Sequence, residues 1–182
     1  MRISVIGPQN TGKTTFISDF LREFDEYTTP QETYRDVVRQ KNLSINQETN
    51  DESQMVIRDF LFEQAKNNKE ENIIFDRCVI DNYVYTKAQC EKGKIGEAFL
   101  KETFDMMNKS LSFYDLFVLI PASVSVSLVN DNLRDIDTLF VDRINHLFLD
   151  SVLDIAKNFP ANIKIISGPR EERLKQIKQL IK

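Results

Sequence analysis

The chain is poor in the residues that mark several protein classes. Its 182 residues include no tryptophan, one histidine, two cysteines, five glycines and five prolines. Cys78 and Cys90 form no Cys-x-x-Cys pair, and with a lone His146 they favour neither a disulfide scaffold nor a zinc site. No apolar run approaches the roughly 18 residues that a membrane span needs, and the start, MRISVIG, lacks the features of a secretory signal. We therefore expect a cytoplasmic protein that does not insert into a membrane.

The charge balance is mildly acidic. Lys and Arg number 24 against 28 Asp and Glu, so the formal net charge is −4. This balance disfavours a strongly basic nucleic-acid binder, although it does not exclude a local basic patch. Hydrophobic residues make up 41% of the chain, which argues against disorder and predicts one domain over residues 1–182. Nothing in the composition indicates an oligomeric state.

Strand-like and helix-like segments alternate along the chain. Four short, nearly continuous apolar runs predict strands buried on both faces, and a weaker strand is predicted at 26–29, before Pro30. Amphipathic stretches between them predict helices. The alternation indicates an α/β fold, a three-layer α/β/α sandwich with a five-stranded parallel sheet. The four strong runs are residues 3–6, 73–75, 116–120 and 163–166, and the helices are 13–24, 53–66, 79–90, 95–111, 138–159 and 170–181.

Residues 7–14, GPQNTGKT, match the phosphate-loop pattern G-x-x-x-x-G-K-[ST], and we call them the phosphate loop. Gly7 and Gly12 allow the backbone to curl so that its N–H groups point at phosphate oxygens. Lys13 reaches the β- and γ-phosphates, and the Thr14 hydroxyl can ligate Mg²⁺. The sequence therefore predicts binding of ATP with Mg²⁺. The expected nucleotide-binding residues are Gly7, Gln9, Asn10, Thr11, Gly12, Lys13, Thr14 and Thr15.

Three classes of protein share this loop: switch GTPases, motor ATPases and small-molecule kinases. Neither the Asp-x-x-Gly switch motif nor the Asn-Lys-x-Asp guanine motif occurs in the chain. A motor ATPase usually has a strand ending in Asp-Glu, where the glutamate polarises water. Here the strand ends in Asp76-Arg77, and an arginine suits phosphate or an anionic substrate better than it suits water activation. The pattern favours a kinase.

Asp76 and Arg77 are the strongest catalytic candidates outside the phosphate loop. If their strand lies beside the first strand, Asp76 emerges at the carboxyl edge of the sheet, next to the loop. A carboxylate there can accept a proton from an attacking hydroxyl or hold Mg²⁺ through water. Arg77 can clamp a phosphate or the transferred group. The simpler alternative is an aspartate that caps the next helix, followed by an exposed arginine.

Three further candidates lie outside that strand. Glu32 and Arg35 are three residues apart, so one helix face would carry both, and there they would bind the acceptor. A surface ion pair is the alternative. A lid is predicted near 123–143, where Arg134 would neutralise charge during transfer. Arg143 is a weaker substrate-binding candidate, because nine residues of unbroken helix would turn it about 180° from Arg134.

Four segments together resemble the P-loop nucleoside and nucleotide kinases. Within that group they are similar to the NadR-like, ribosylnicotinamide kinase-like domains that are labelled AAA-type ATPases in phage and bacterial sequences. The resemblance implies that Asp76 is the catalytic carboxylate, Glu32 an acceptor-site acid and Arg134 a lid arginine. In related kinases the acid after the second strand can itself be the base, so the two acids can exchange roles. The segments are IGPQNTGKTT (6–15), PQETYRD (30–36), IIFDRCVIDNYVY (73–85) and NDNLRDID (130–137).

The resemblance also implies the strand order 2-3-1-4-5 and a reaction. That reaction is transfer of the ATP γ-phosphate to a small nucleoside, nucleotide or nucleoside-like acceptor. The phosphate loop departs from the Glu-Ser-Ser filling common in ribosylnicotinamide kinases, so a thymidylate-kinase-like or deoxynucleoside-kinase-like acceptor fits equally well. Two alternatives stay open. One is a kinase for hydroxymethylated bases in DNA or for polynucleotide ends, and the other is a regulatory NTP-binding module or ATPase.

Overall fold

A computed structural model describes residues 1–122 and 138–181 of the chain. Within these residues a parallel sheet of four strands is accompanied by seven α-helices and two 3₁₀ turns, Asn46–Glu48 and Leu111–Phe113. The strands are β1 (Arg2–Ile6), β2 (Ile73–Asp76), β3 (Leu116–Leu119) and β4 (Ile163–Ile165). The helices are α1 (Lys13–Glu23), α2 (Tyr34–Lys41), α3 (Asp51–Asn67), α4 (Val79–Glu91), α5 (Glu97–Ser110), α6 (Thr138–Asn158) and α7 (Arg170–Leu180). No helix in the described ranges is both long enough and apolar enough to span a bilayer.

The strands lie in the order β2-β1-β3-β4, and every neighbouring pair is parallel. Ile3 of β1 lies opposite Ile74 on one side and Leu116 on the other. This confirms the α/β fold, and the four strong strands take the order expected for them. The prediction of five strands is wrong, because the described residues form a sheet of only four.

The strand predicted at 26–29 does not form because Pro30 follows it. Thr28 lies where the second strand is expected, and its N–H donates to the Asn72 carbonyl at 3.1 Å. The Ile74 N–H then donates to the Thr28 carbonyl at 2.9 Å. The next donor in this parallel ladder would be the N–H of residue 30, which Pro30 lacks. The Thr29 hydroxyl donates to the Ile74 carbonyl instead, at 2.8 Å, and the pairing ends after one bridge.

Helices cover both faces of the sheet, which explains why the strands are apolar without interruption. Alternate strand residues, among them Ile3, Ile74 and Val118, join the core cluster of α1 and α7. The intervening residues, among them Phe75 and Phe117, join a second cluster with α3, α4 and α6. All four strands run in one direction, so their carboxyl ends meet at one edge. The phosphate loop follows β1 at that edge, and Asp76 is the last residue of β2.

Arg2, at the start of β1, binds neighbouring segments at the amino ends of the strands. Its guanidinium donates to the carbonyls of Ala65 at 2.6 Å and Asn68 at 3.2 Å, which closes the last turn of α3. It also donates to the Glu70 carbonyl at 2.9 Å and the Phe113 carbonyl at 2.7 Å. One charged side chain therefore satisfies four carbonyl groups that helix ends and turns leave unpaired.

We expect Arg2→Met to lower the free energy of unfolding by about 1.5–3 kcal/mol, because the charge-assisted bonds are lost while the apolar stem is kept. Urea denaturation with an unchanged m-value is the measurement. Arg22→Met is the matched control, since the Arg22 side chain is 74% exposed, and it should change stability by less than about 0.5 kcal/mol. Equal midpoints for the Arg2 variant and the wild type would contradict the assignment.

Candidate functional site

The phosphate loop joins β1 to α1 in a conformation that its glycines permit. Gly7 has φ +136°, and a Cβ there would lie 2.3 Å from the Ile120 carbonyl oxygen. Gly12, with φ +82°, immediately precedes the first residue of α1. Residues 9–15 line a concavity of about 60 Å³, and Arg35 lies at its wall. The concavity therefore contains every nucleotide-binding residue predicted from the sequence except Gly7.

Lys13 lies inside the loop with its side chain buried. Its ammonium donates to the Gly7 carbonyl at 2.8 Å and also to the Pro8 carbonyl. Burial lowers the pKa of Lys13 well below its usual value and Arg77 lowers it further, while Asp81 and Asp76 raise it. Negative charge brought by a phosphate would favour the protonated lysine in the same way.

Asp81, on the first turn of α4, holds the start of the phosphate loop. Its Oδ1 accepts from the Gly7 N–H at 3.2 Å and from the Arg77 guanidinium at 2.9 Å. Its Oδ2 accepts from the Cys78 N–H at 3.1 Å. Burial raises the pKa of Asp81, and the charges of Arg77 and Lys13 oppose that rise. Asp81 was not among the residues predicted from the sequence. The available signal was its place three residues after Cys78, the N-cap residue of α4, where an acid accepts the N–H of the cap residue.

Arg77 is buried behind the loop rather than exposed, so the simpler sequence alternative for it does not hold. Its backbone has φ +84°, a left-handed conformation that costs energy in a residue other than glycine. The guanidinium lies 5.0 Å from the Tyr34 ring centroid and 5.6 Å from that of Tyr85. It also donates to the Gly7 carbonyl at 3.3 Å, so Arg77 and Asp81 hold both polar groups of one loop residue.

Asp76, Thr14 and Arg35 meet at the mouth of the loop. The Thr14 hydroxyl lies 3.3 Å from Asp76 Oδ2, and one Arg35 nitrogen lies 3.6 Å from the same oxygen and 3.5 Å from the hydroxyl. The exposed fractions of the Asp76 and Arg35 side chains are 10% and 16%. Asp76 Oδ1 and Arg35 Nε are buried without a hydrogen-bond partner. A carboxylate and a hydroxyl are the hard oxygen ligands that Mg²⁺ prefers, so these residues fit that ion.

A second cavity adjoins Arg77 on the α3 and α4 side. Its volume is about 50 Å³, and it has an apolar wall that includes Leu61 and a polar wall that includes Gln9 and Asn82. The Asn82 amide donates to Gln54 Oε1 at 2.7 Å. Asn82 Oδ1 and Gln9 Nε2 have no hydrogen-bond partner, although both are buried. Such atoms are costly unless a ligand or water completes them.

Glu32 and Arg35 do not share a helix face, contrary to the sequence prediction. The Thr33 N–H donates to the Asp36 carboxylate at 2.8 Å, and this capping box makes α2 begin at Tyr34. Glu32 therefore lies outside the helix and is exposed, with its carboxylate 3.3 Å from the Gln40 amide.

The remaining candidates lie away from the loop or outside the described residues. Arg143 of α6 donates to the Glu91 carboxylate of α4 at 2.5 Å, and about half of its side chain is exposed. Arg134 and most of the predicted lid at 123–143 lie in the part of the chain that is not described. The structure thus brings together Lys13, Thr14 and Asp76 with both Arg35 and Arg77.

Comparisons with known proteins agree with this architecture. Residues 2–173 match the model of the AAA domain family. No curated protein sequence matches the chain. Deoxyadenosine kinase from M. mycoides is similar with a TM-score of 0.71 and 16% identity, over 100% of this chain and 98% of that one. Thymidylate kinase from Candida albicans gives 0.65 and 17%, over 99% of this chain and 90% of that one.

NadR in complex with NAD and AMP-PNP gives a TM-score of 0.72 at 14% identity, over 98% of this chain. The chain spans about half of NadR, because the match covers 48% of that protein. Similarity at these identities shows the fold. The family match covers nearly the whole chain, from residue 2 to residue 173. The chain therefore belongs to the AAA domain family and has the fold of the P-loop nucleoside and nucleotide kinases.

Proposed function

We propose that the protein is an ATP-dependent kinase that transfers the γ-phosphoryl group to a nucleoside, a nucleotide or a nucleoside-like acceptor. The observation that carries the proposal is the Asp76 carboxylate at the mouth of the phosphate loop, whose side chain is 10% exposed and lies 3.3 Å from the Thr14 hydroxyl. A carboxylate at this point can receive the proton of an acceptor hydroxyl. The residue after it is an arginine, whereas a motor ATPase usually has a water-activating glutamate at that position.

Phosphoryl transfer by this chain would depend mainly on positioning and charge. The loop amides and Lys13 would hold the triphosphate. Thr14 would hold Mg²⁺ with its hydroxyl and Asp76 would hold it through water, and the ion would neutralise phosphate charge when bound. The acceptor oxygen forms a bond to the γ-phosphorus as the bond from that phosphorus to the β,γ-bridging oxygen breaks. ADP leaves with the bridging electrons, and Asp76 takes the proton when the acceptor is a hydroxyl.

The arginines have different places in this proposal. Arg35 lines the phosphate concavity and contacts both Asp76 and Thr14, so it is placed to neutralise charge on the transferred group. Arg77 supports the loop from behind through Gly7 and Asp81. Arg134 remains the proposed lid arginine.

The acceptor would enter the cavity between α3 and α4. Tyr34 offers an aromatic face there, and Gln9 and Asn82 offer an unpaired donor and an unpaired acceptor for the edge of a base. Because about 50 Å³ holds only a few waters, a lining side chain must move when a nucleoside binds. Glu32, before α2, remains the proposed acceptor-binding acid, with Arg143 the weaker candidate.

The class of acceptor is supported by the fold and by charge. The similar structures are of kinases that act on nucleosides or nucleotides, and one of them holds dCMP as product. A formal charge of −4 gives no general attraction for a polynucleotide. We therefore favour a small acceptor over DNA.

We expect slow ATP consumption by the protein alone and strong stimulation by one acceptor class, because a kinase of this kind excludes water until the acceptor is bound. The measurement is ADP formation with Mg²⁺ and ATP against a panel of nucleosides, nucleotides and hydroxymethylated DNA. Lys13→Ala is the control and should lose at least about tenfold in rate, since a charge-assisted phosphate contact is removed. Rapid hydrolysis without an acceptor effect would favour an ATPase, and wild-type turnover by the lysine variant would reject the loop assignment.

The two acids should respond differently to neutral replacement. Asp76→Asn keeps shape but loses the base and the metal ligand, so kcat should fall by about 10²–10⁴-fold. Glu32→Gln should mainly raise the KM for the acceptor, because Glu32 is exposed and does not line the phosphate concavity, so its loss would weaken ground-state and transition-state binding together.

Steady-state kinetics on both variants, with thermal melts to show that each is folded, separates these roles. Collapse of kcat in Glu32→Gln, together with a change in affinity alone in Asp76→Asn, would mean that the roles are exchanged.

A further inference from the structure

One side chain of the last helix reaches the phosphate loop. Arg173 of α7 is 7% exposed, and its Nη1 donates to the Thr11 carbonyl at 2.6 Å. Its Nε donates to the Gly168 carbonyl at 2.8 Å. A single guanidinium therefore joins the loop after β1 to the turn after β4, across 162 residues of sequence.

No acid among the described residues forms an ion pair with Arg173, whose guanidinium is bonded to backbone carbonyls. Burial lowers the pKa of Arg173 below the usual value for arginine. Its neighbour Arg170 differs, because that side chain is fully engaged with the Asp19 carboxylate of α1. A buried cation bonded only to carbonyls favours an anion close by.

The bond from Arg173 to the Thr11 carbonyl also orients the N–H of the next residue, Gly12. In a trans peptide the C=O and the following N–H point in opposite directions, so holding the Thr11 carbonyl towards Arg173 turns the Gly12 N–H away from it. Thr11 and Gly12 line two cavities: one of about 370 Å³, which Arg173 also lines, and the phosphate concavity, which Arg173 does not line. A Gly12 N–H that is turned away from Arg173 is therefore available to a phosphate in the concavity.

We propose that Arg173 is a positioning residue for phosphate binding, which orients the Gly12 amide by holding the Thr11 carbonyl from behind. The inference rests on the proposed function only in that the ligand is a nucleotide. It does not depend on the acceptor or on turnover. Gly12 supports it, since a Cβ at that position would lie 3.2 Å from Arg173 Nη1, so the glycine allows this close approach.

The test compares binding of two ligands by isothermal calorimetry with Mg²⁺ present. ADP carries phosphates and a base, and inorganic tripolyphosphate carries phosphates alone. The variants are Arg173→Met, which keeps the stem, and Lys178→Met as the matched control. Lys178 lies on the same helix and pairs with Glu23 of α1 at 2.5 Å, away from the loop. Melting temperatures without ligand report any loss of folding.

Arg173→Met should weaken both ligands by a similar factor, roughly tenfold to a hundredfold, as expected for one charge-assisted bond. Lys178→Met should bind both as the wild type does. Unchanged affinity for both ligands would overturn the proposal, even if the melting temperature fell. Arg173 would then only stabilise the fold. Weakening of ADP alone would also overturn it, because Arg173 would then act through the Gly168 side of its cavity.

A second variant keeps the test valid if Arg173→Met does not fold. Arg173→Lys keeps the charge but loses the two-armed geometry, and it should weaken both ligands by at least about threefold. Wild-type affinity in this variant would contradict the proposal that the two hydrogen bonds of the guanidinium position the loop. Failure of the kinase proposal looks different, since the wild type would then bind ADP but transfer nothing to any acceptor.

Discussion

The bond from the Gly7 N–H to the Asp81 carboxylate is the constraint on which the rest of the site depends. Asp81 also holds Arg77, and Arg77 donates back to the Gly7 carbonyl, so α4, the end of β2 and the phosphate loop are fixed to one another. A buried ion pair adds little net stability compared with apolar packing, and breaking one by removing a partner is costly. We infer that the pair of Arg77 and Asp81 fixes the position of the first residue of the loop. The positions of Lys13 and Thr14 follow from that of Gly7.

Residues outside the phosphate loop hold it from two sides. Asp81 and Arg77 fix its first residue, and Arg173 fixes the peptide between Thr11 and Gly12 from behind. Donors that are already oriented need no reorganisation when charge develops in a transition state, which is where much of enzymatic rate enhancement originates. In the proposed reaction Asp76 would accept the proton, and the surrounding contacts would decide where the phosphate lies relative to it.

Local signals in the sequence predict the strong strands, the phosphate loop and the position of Asp76. Apolar runs and glycine spacing are short-range patterns, and the parallel order of β1 and β2 brings Asp76 to Thr14. The fifth strand fails because Pro30 has no N–H to continue the ladder, an effect that the apolar pattern does not register. Arg173 could not be found this way, since its partner Thr11 is 162 residues away and only the folded chain brings them together.

The central claim is that this site transfers phosphate to an acceptor. The most direct test is to measure which product contains the γ-phosphorus of ATP after the reaction. Phosphorus NMR on a reaction of the protein with Mg²⁺, ATP and the stimulating acceptor follows that atom itself. The account predicts that its signal reappears as a phosphate ester or phosphoanhydride of the acceptor, in step with ADP. Recovery of the signal as inorganic phosphate, at the same rate with and without the acceptor, would contradict it.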